Sequence, residues 1–185
     1  MLNARSLMNK LDMFKLTVHK YNPDIIGITE SWCTSVISDA ELQLTDYDLF
    51  RCDRKSDNRG GGVLLYVKSE LKPIEVQLTS SFVDYTCCKV GNLTIVICYR
   101  STNSAIVGQD NNANLCHLVR VIRDRHFLML GDFNYLEINW LNQSLADNAS
   151  LDCKDFFSCV NDSFITQHVL VPTRGDATLD LIFFS

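Results

Sequence analysis

The chain carries no excess of positive charge: 17 lysines and arginines against 22 acids leave a net charge of −5 over 185 residues. That balance speaks against a broad basic face of the kind a sequence-independent polyanion binder presents, although acids gathered at a metal site are compatible with it. Two local basic groups stand out, Arg51, Arg54, Lys55 and Arg59, and Arg120, Arg123 and Arg125. The second reads as a solvated helix face. No apolar run is long enough to cross a membrane. Eight cysteines are present, yet none lies in a Cys-x-x-Cys pair or at Cys/His ligand spacing, which argues against zinc. Cys87, Cys88 and Cys98 sit in apolar strands, as buried thiols do. With no signal peptide read at the start, reduced cysteines in cytoplasm or nucleus are expected. Gly60-Gly61-Gly62 is not followed by Lys-Ser/Thr and leads into a strand, so a phosphate-cradling P-loop is excluded and a flexible hairpin lead-in is expected. There is no internal repeat, and 46% hydrophobic content suits a single domain over residues 1–185 with a substantial core.

What is present alternates strands with amphipathic helices. Leu7, Leu11, Phe14 and Val18 share one face of a helix over 8–21, with Ser6 available as N-cap and Pro23 beyond its end. Ile25 to Thr29 reads as a core strand that delivers Glu30 to a sheet edge, with a polar loop after it. Val63–Lys68 is a further strand, and Thr86–Val90 and Leu93–Tyr99 form a hairpin across Gly91-Asn92. A polar, Asn-rich loop over 102–114 precedes a helix over 114–124, whose apolar face is Leu115, Leu118, Val119 and Ile122. The run from His126 to Leu130 then ends in Gly131-Asp132-Phe133-Asn134. A carboxylate and a carboxamide two apart at a strand end point the same way, as though toward a phosphate and a water. The same four residues are also ordinary turn chemistry. A helix over 151–160 and a last strand over 178–184 follow, the latter holding one acid, Asp180, that needs a partner if buried.

The succession of Asn3, Glu30 in Thr-Glu-Ser-Trp, Arg51-x-Asp53-Arg54 with the triple glycine and Val63, Tyr99-Arg100, Gly131-Asp132-Phe133-Asn134, Pro172-Thr173-Arg174 and Leu179-Asp180-Leu181-Ile182 resembles the endonuclease/exonuclease/phosphatase superfamily. More narrowly it is similar to the apurinic-like endonuclease domain of non-LTR retrotransposons of the jockey and chicken-repeat type. Each motif alone is weak, but seven occur in the right order across nearly the whole chain. The resemblance implies an α/β fold: a four-layered α/β sandwich of two mostly antiparallel sheets flanked by helices, with the active site at one edge.

It also implies roles. Hydrolysis of an anionic phosphodiester needs a cation on the phosphoryl oxygen, an activated water and a stabilised leaving oxygen. Hard oxygen ligands suit Mg²⁺ or Mn²⁺. By the resemblance Glu30 is the principal metal ligand and Asn3 assists it. Tyr99 donates to the phosphate, Asp132 orients or deprotonates the attacking water, Asn134 hydrogen-bonds the phosphate, and Asp180 orients a histidine. Arg100, Thr173 and Arg174 meet the DNA backbone, and a reverse transcriptase domain accompanies the nuclease in the full-length element.

In the family the histidine lies in a Ser-Asp-His segment beyond the Leu-Asp-Leu-Ile strand, and this sequence ends at Ser185 without it. His19, His117, His126 and His168 read as surface or packing histidines. The first strand, with only Met1 and Leu2 before Asn3, is expected to be a stub with an open edge, and the last strand and loop to be absent. Metal and phosphate binding with weak turnover is the expectation. Two rivals remain: a phosphoesterase on an inositol phosphate or lipid head group, which the same scaffold supports, and a non-catalytic relic that binds nucleic acid or a partner.

Overall fold

The computed structural model describes residues 1–53, 60–102 and 111–184. In chain order it comprises β1 (Leu2–Asn3), α1 (Leu11–Tyr21), β2 (Ile25–Thr29), α2 (Asp39–Leu42), β3 (Tyr47–Cys52), β4 (Val63–Lys68), β5 (Ile74–Glu75), β6 (Tyr85–Val90), β7 (Leu93–Tyr99), α3 (Asn111–Ile122), β8 (Phe127–Asp132), β9 (Ile138–Asn139), β10 (Ser144–Leu145), α4 (Leu151–Asp162), β11 (Thr166–Gln167) and β12 (Asp180–Phe184).

Two mixed sheets form the centre. The first has the order β1-β2-β4-β3 and the second β11-β12-β8-β7-β6-β5. Only β1–β2 and β7–β8 run parallel within them. Strands β4, β7 and β8 are buried nearly throughout, because each is covered on both faces, and their sequences are accordingly continuous apolar runs. Val63, Leu65 and Val67 of β4 meet Ile95, Ile97 and Tyr99 of β7 between the sheets. Behind the first sheet, Leu7, Phe14 and Val18 pack on Ile26, Ile28, Leu64 and Tyr66. Behind the second, Leu115, Leu118, Val119 and Ile122 of α3 and Phe156, Cys159 and Val160 of α4 pack on Val96, Met129 and Phe183. The layers are therefore helix, sheet, sheet, helix: the expected four-layered sandwich. Burying one side chain such as Phe14 contributes about 2 kcal/mol.

Several local expectations need correcting. Ser6 does not cap α1. The helix is entered through a 3-10 turn at Met8–Lys10 whose N-cap residue is Leu7, without a side-chain cap, and Ser6 Oγ instead accepts from Asn9. At the other end Asn22 closes α1 in the left-handed region, its N–H on Val18 O. The segment after Glu30 holds α2, with the reciprocal capping box of Ser38 and Glu41. Tyr47–Cys52 is a strand as well, paired along its whole length with β4. α3 begins at Asn111, three residues before the expected start. Residues 103–110 of the Asn-rich loop, and Arg54, Lys55 and Arg59 of the basic group, lie outside the described residues.

The triple glycine is pinned rather than flexible where it enters β4. Ser31 N–H donates to Gly62 O at 3.1 Å and Trp32 N–H to Gly61 O at 3.0 Å. Gly62 has φ +79°, which favours glycine, and a Cβ there would lie 2.6 Å from Ser31 Oγ and displace that hydroxyl. Glu30 is thereby held from two sides, since Ser6 N–H also donates to its carbonyl.

Candidate active site

The two sheets bring their strand ends together at one pole. β2 ends at Thr29, and Glu30 follows in the left-handed region with φ 50°. β7 ends at Tyr99, β8 at Asp132, and β12 begins at Asp180. In register, Tyr99 stands beside Asp132 on one side and Asp180 opposite Asp132 on the other. Asn3, at the end of β1, pairs with Thr29. Residues from five distant stretches of chain thus share one rim.

Asn3 joins the two sheets. Its Nδ2 donates to Asp132 Oδ2 at 2.7 Å and lies 3.3 Å from Glu30 Oε1. Tyr99 OH donates to the same Glu30 oxygen at 3.2 Å. Arg174 reaches in from the loop before β12, with one guanidinium nitrogen 3.1 Å from Asp132 Oδ2 and the other 3.2 Å from Asn134 Oδ1. Thr173 Oγ1 accepts from the N–H groups of Leu179 and Asp180 at 3.0 and 3.1 Å, which ties the Arg174 loop to the start of β12. Every residue expected at the site lies at or beside this pole.

Asp132 and Asn134 meet for a different reason from the one the strand periodicity suggests. The strand stops at Asp132, and Asn134 has φ 52°. Asn134 N–H donates to Asp132 Oδ1 at 3.2 Å, a local turn of the kind Gly-Asp-x-Asn chemistry favours. Gly131 is required just before it. A Cβ on Gly131 would sit 2.2 Å from the Cys98 carbonyl oxygen, so glycine permits the close β7–β8 approach that sets Asp132 beside Tyr99.

The electrostatics are strained. Asp132 is wholly buried; burial first, and then the facing Asp180 carboxylate, push its pKa up to about 6, against the opposing pull of Arg174 and Asn3. Glu30 adds to the upward push. Carboxylates directly opposite in an antiparallel pair repel at roughly 5 Å. Among the described residues, Asn3 Oδ1 and Asp180 Oδ1 are buried acceptors without a hydrogen-bond partner, an arrangement that costs about 1–3 kcal/mol per group unless something occupies them. An acceptor-rich pocket with one orphaned amide oxygen beside a carboxylate fits a hard divalent cation. Among the described residues no group of three or more His, Cys, Asp and Glu is arranged to hold a metal ion by itself.

No histidine among the described residues joins the cluster. His19, His117, His126 and His168 are all exposed, and the ring of His168 stacks on Phe184 at 3.7 Å, at the far end of β12 from Asp180. Two further placements differ from expectation. Arg51 is spent on Asp39, Asp53 and the carbonyls of Thr34 and Ile37, which makes it a brace for the loop after Glu30 rather than a basic rim. Arg100 points toward α4 and Tyr135; Tyr135, Asn112 and Asp152, which hold it there, were not legible as site residues.

A double-sheet sandwich thus brings acids, carboxamides, a phenol and one arginine together at one rim. The sequence matches the Endonuclease/Exonuclease/phosphatase family over residues 2–185, and the chain belongs to that family. No curated protein matches it. Solved structures share the fold: the 3'-5' exonuclease NExo from Neisseria meningitidis (16% identity, TM-score 0.73, covering 100% of this chain and 85% of that one), an AP endonuclease from Archaeoglobus fulgidus (12%, 0.70, 98% and 84%), and the endonuclease domain of TRAS1, a telomere-specific non-LTR retrotransposon (13%, 0.66, 100% and 82%).

Proposed function

We propose that the chain is a DNA endonuclease of non-LTR retrotransposon type, hydrolysing a phosphodiester with Mg²⁺ or Mn²⁺. One observation carries the reading: a single carboxamide, Asn3, bridges Glu30 of one sheet and Asp132 of the other and leaves its own buried oxygen unpartnered. Glu30 and Asn3 would hold the cation, which supplies charge neutralisation on the phosphoryl oxygens.

The protein's own groups do the rest. Asp132, with a pKa of about 6, is ionised at neutral pH yet basic enough to take a proton from water, close to the optimum for a general base. Tyr99 and Asn134 stand at the same rim, their donors given to Glu30 Oε1 and the Arg100 carbonyl, and Arg174, whose side chain is 38% exposed, meets the DNA backbone together with Thr173. A reverse transcriptase domain as companion belongs to the same reading.

The test is nicking of supercoiled plasmid with Mg²⁺, with EDTA, and with Glu30→Gln. Mg²⁺-dependent nicking lost in EDTA and reduced at least about 100-fold by Glu30→Gln is expected. Hydrolysis of an inositol phosphate or lipid head group without plasmid nicking would refute the DNA assignment.

A further inference from the structure

Arg100 follows Tyr99 directly, but its head group is turned away from the rim. The Arg100 side chain is only 14% exposed, against 38% for Arg174. Its guanidinium carbon lies 4.0 Å from the centre of the Tyr135 ring, and one of its nitrogens is 3.6 Å from Asp152 Oδ2 in the first turn of α4. Another donates to the backbone carbonyl of Asn134 at 3.3 Å. The contact is returned, since Asn134 Nδ2 donates to the Arg100 carbonyl at 2.8 Å, and Arg100 N–H donates to Asp132 O at 2.9 Å.

Asn134 has φ 52°, a left-handed conformation that asparagine tolerates better than most residues, and the contacts with Arg100 fix both its backbone and its side chain there. Tyr135 is fixed in turn: its ring stacks on Phe156 of α4 at 4.5 Å and 15°, and its hydroxyl donates to the buried Asn112 of α3. A guanidinium on an aromatic face with a carboxylate at its edge is a rigid unit, and a flexible ammonium does not reproduce it.

We propose that Arg100, held by Tyr135 and Asp152, is a positioning residue that fixes Asn134 for catalysis, and that it does not contact DNA. The two outer helices, through Asn112 and Asp152, thereby set the geometry of the rim. The proposal rests on the nuclease reading above and separates from it experimentally.

Arg100→Lys and Tyr135→Phe are compared with Arg174→Ala in nicking kinetics, in the salt dependence of binding to a duplex oligonucleotide, and in the amide resonances of Asn134. Arg100→Lys should lower kcat about 10- to 100-fold with KM little changed, since small misplacements of a reacting group cost that much. The slope of log Kd against log salt for Arg100→Ala, which removes the charge, should match wild type, whereas Arg174→Ala should reduce the slope by about 1. Backbone and side-chain amide signals of Asn134 should move in both Arg100→Lys and Tyr135→Phe. Arg100→Ala reducing the salt slope as Arg174→Ala does, or Asn134 signals unchanged in Arg100→Lys, would overturn the proposal. Should the wild-type chain neither nick nor bind DNA, the nuclease reading fails, and the Asn134 resonances still decide whether Arg100 positions it.

Discussion

Replacing Asp132 by asparagine isolates the charge that the pole has to carry. In the folded protein Asp132 titrates at about 6, raised from 3.8 by burial and by Asp180. A carboxyl whose folded pKa lies above its unfolded one keeps its proton longer in the native state. Its favourable contribution is therefore fully present below pH 3.8 and is lost as pH rises through 6. Above that pH the ionised group costs about 3 kcal/mol, at 1.36 kcal/mol per pKa unit. The carboxamide of the Asp132→Asn variant cannot ionise and escapes this cost. Its single oxygen serves either Asn3 and Arg174 or the Asn134 N–H, and its amide then faces a donor, a loss of about 2 kcal/mol at any pH. The variant should accordingly be about 1 kcal/mol more stable than wild type near pH 8 and less stable near pH 4.5, the difference moving by about 2 kcal/mol, or roughly 4–8 °C in Tm. Thermal denaturation of both proteins in EDTA across that range measures it, and nicking by the variant should fall by at least about 100-fold. Parallel pH profiles for the two proteins would refute the reasoning, because the pH dependence would then come from groups other than Asp132.

Gly131→Ala should destabilise the fold by about 3 kcal/mol in urea denaturation, because its Cβ would meet the Cys98 carbonyl, which is backbone within a paired strand and cannot turn aside; a loss below about 1 kcal/mol would show that β7 and β8 can separate at little cost. Asp180 presents a buried, unpartnered oxygen and no histidine among the described residues reaches it, so millimolar imidazole should accelerate plasmid nicking several-fold with little effect on Asp180→Ala; equal acceleration of both would assign the effect to general buffer catalysis.

Most of the elements were legible in the sequence because they depend on short-range patterning, whereas the layer order was expected only from the family resemblance. The face of Leu7, Leu11, Phe14 and Val18, the buried runs of β4, β7 and β8, and the Gly91-Asn92 hairpin all follow from periodicity and turn chemistry. The Ser38/Glu41 capping box carried an equally local signal. β3 did not: in Tyr47-Asp48-Leu49-Phe50-Arg51-Cys52 the charged residues interrupt the apolar pattern, and it pairs as a strand because β4 offers an edge and Arg51 finds Asp39, Asp53 and two carbonyls at that place.

The residue types of the candidate site were likewise present in order along the chain and carried the family resemblance, which the match over residues 2–185 bears out. Tertiary structure alone decided their mutual geometry. Asn3 and Asp132 are 129 positions apart and meet at 2.7 Å, the pKa of Asp132 is raised first by its burial and then by Asp180 arriving opposite it, and Arg100 turns toward Tyr135 and Asp152 while Arg174 turns toward Asp132. Local sequence specifies which side chains and which backbone shapes are available. Desolvation, like-charge proximity and the choice of partner for each arginine depend on packing among distant segments, and those are the quantities that turn seven short motifs into a site.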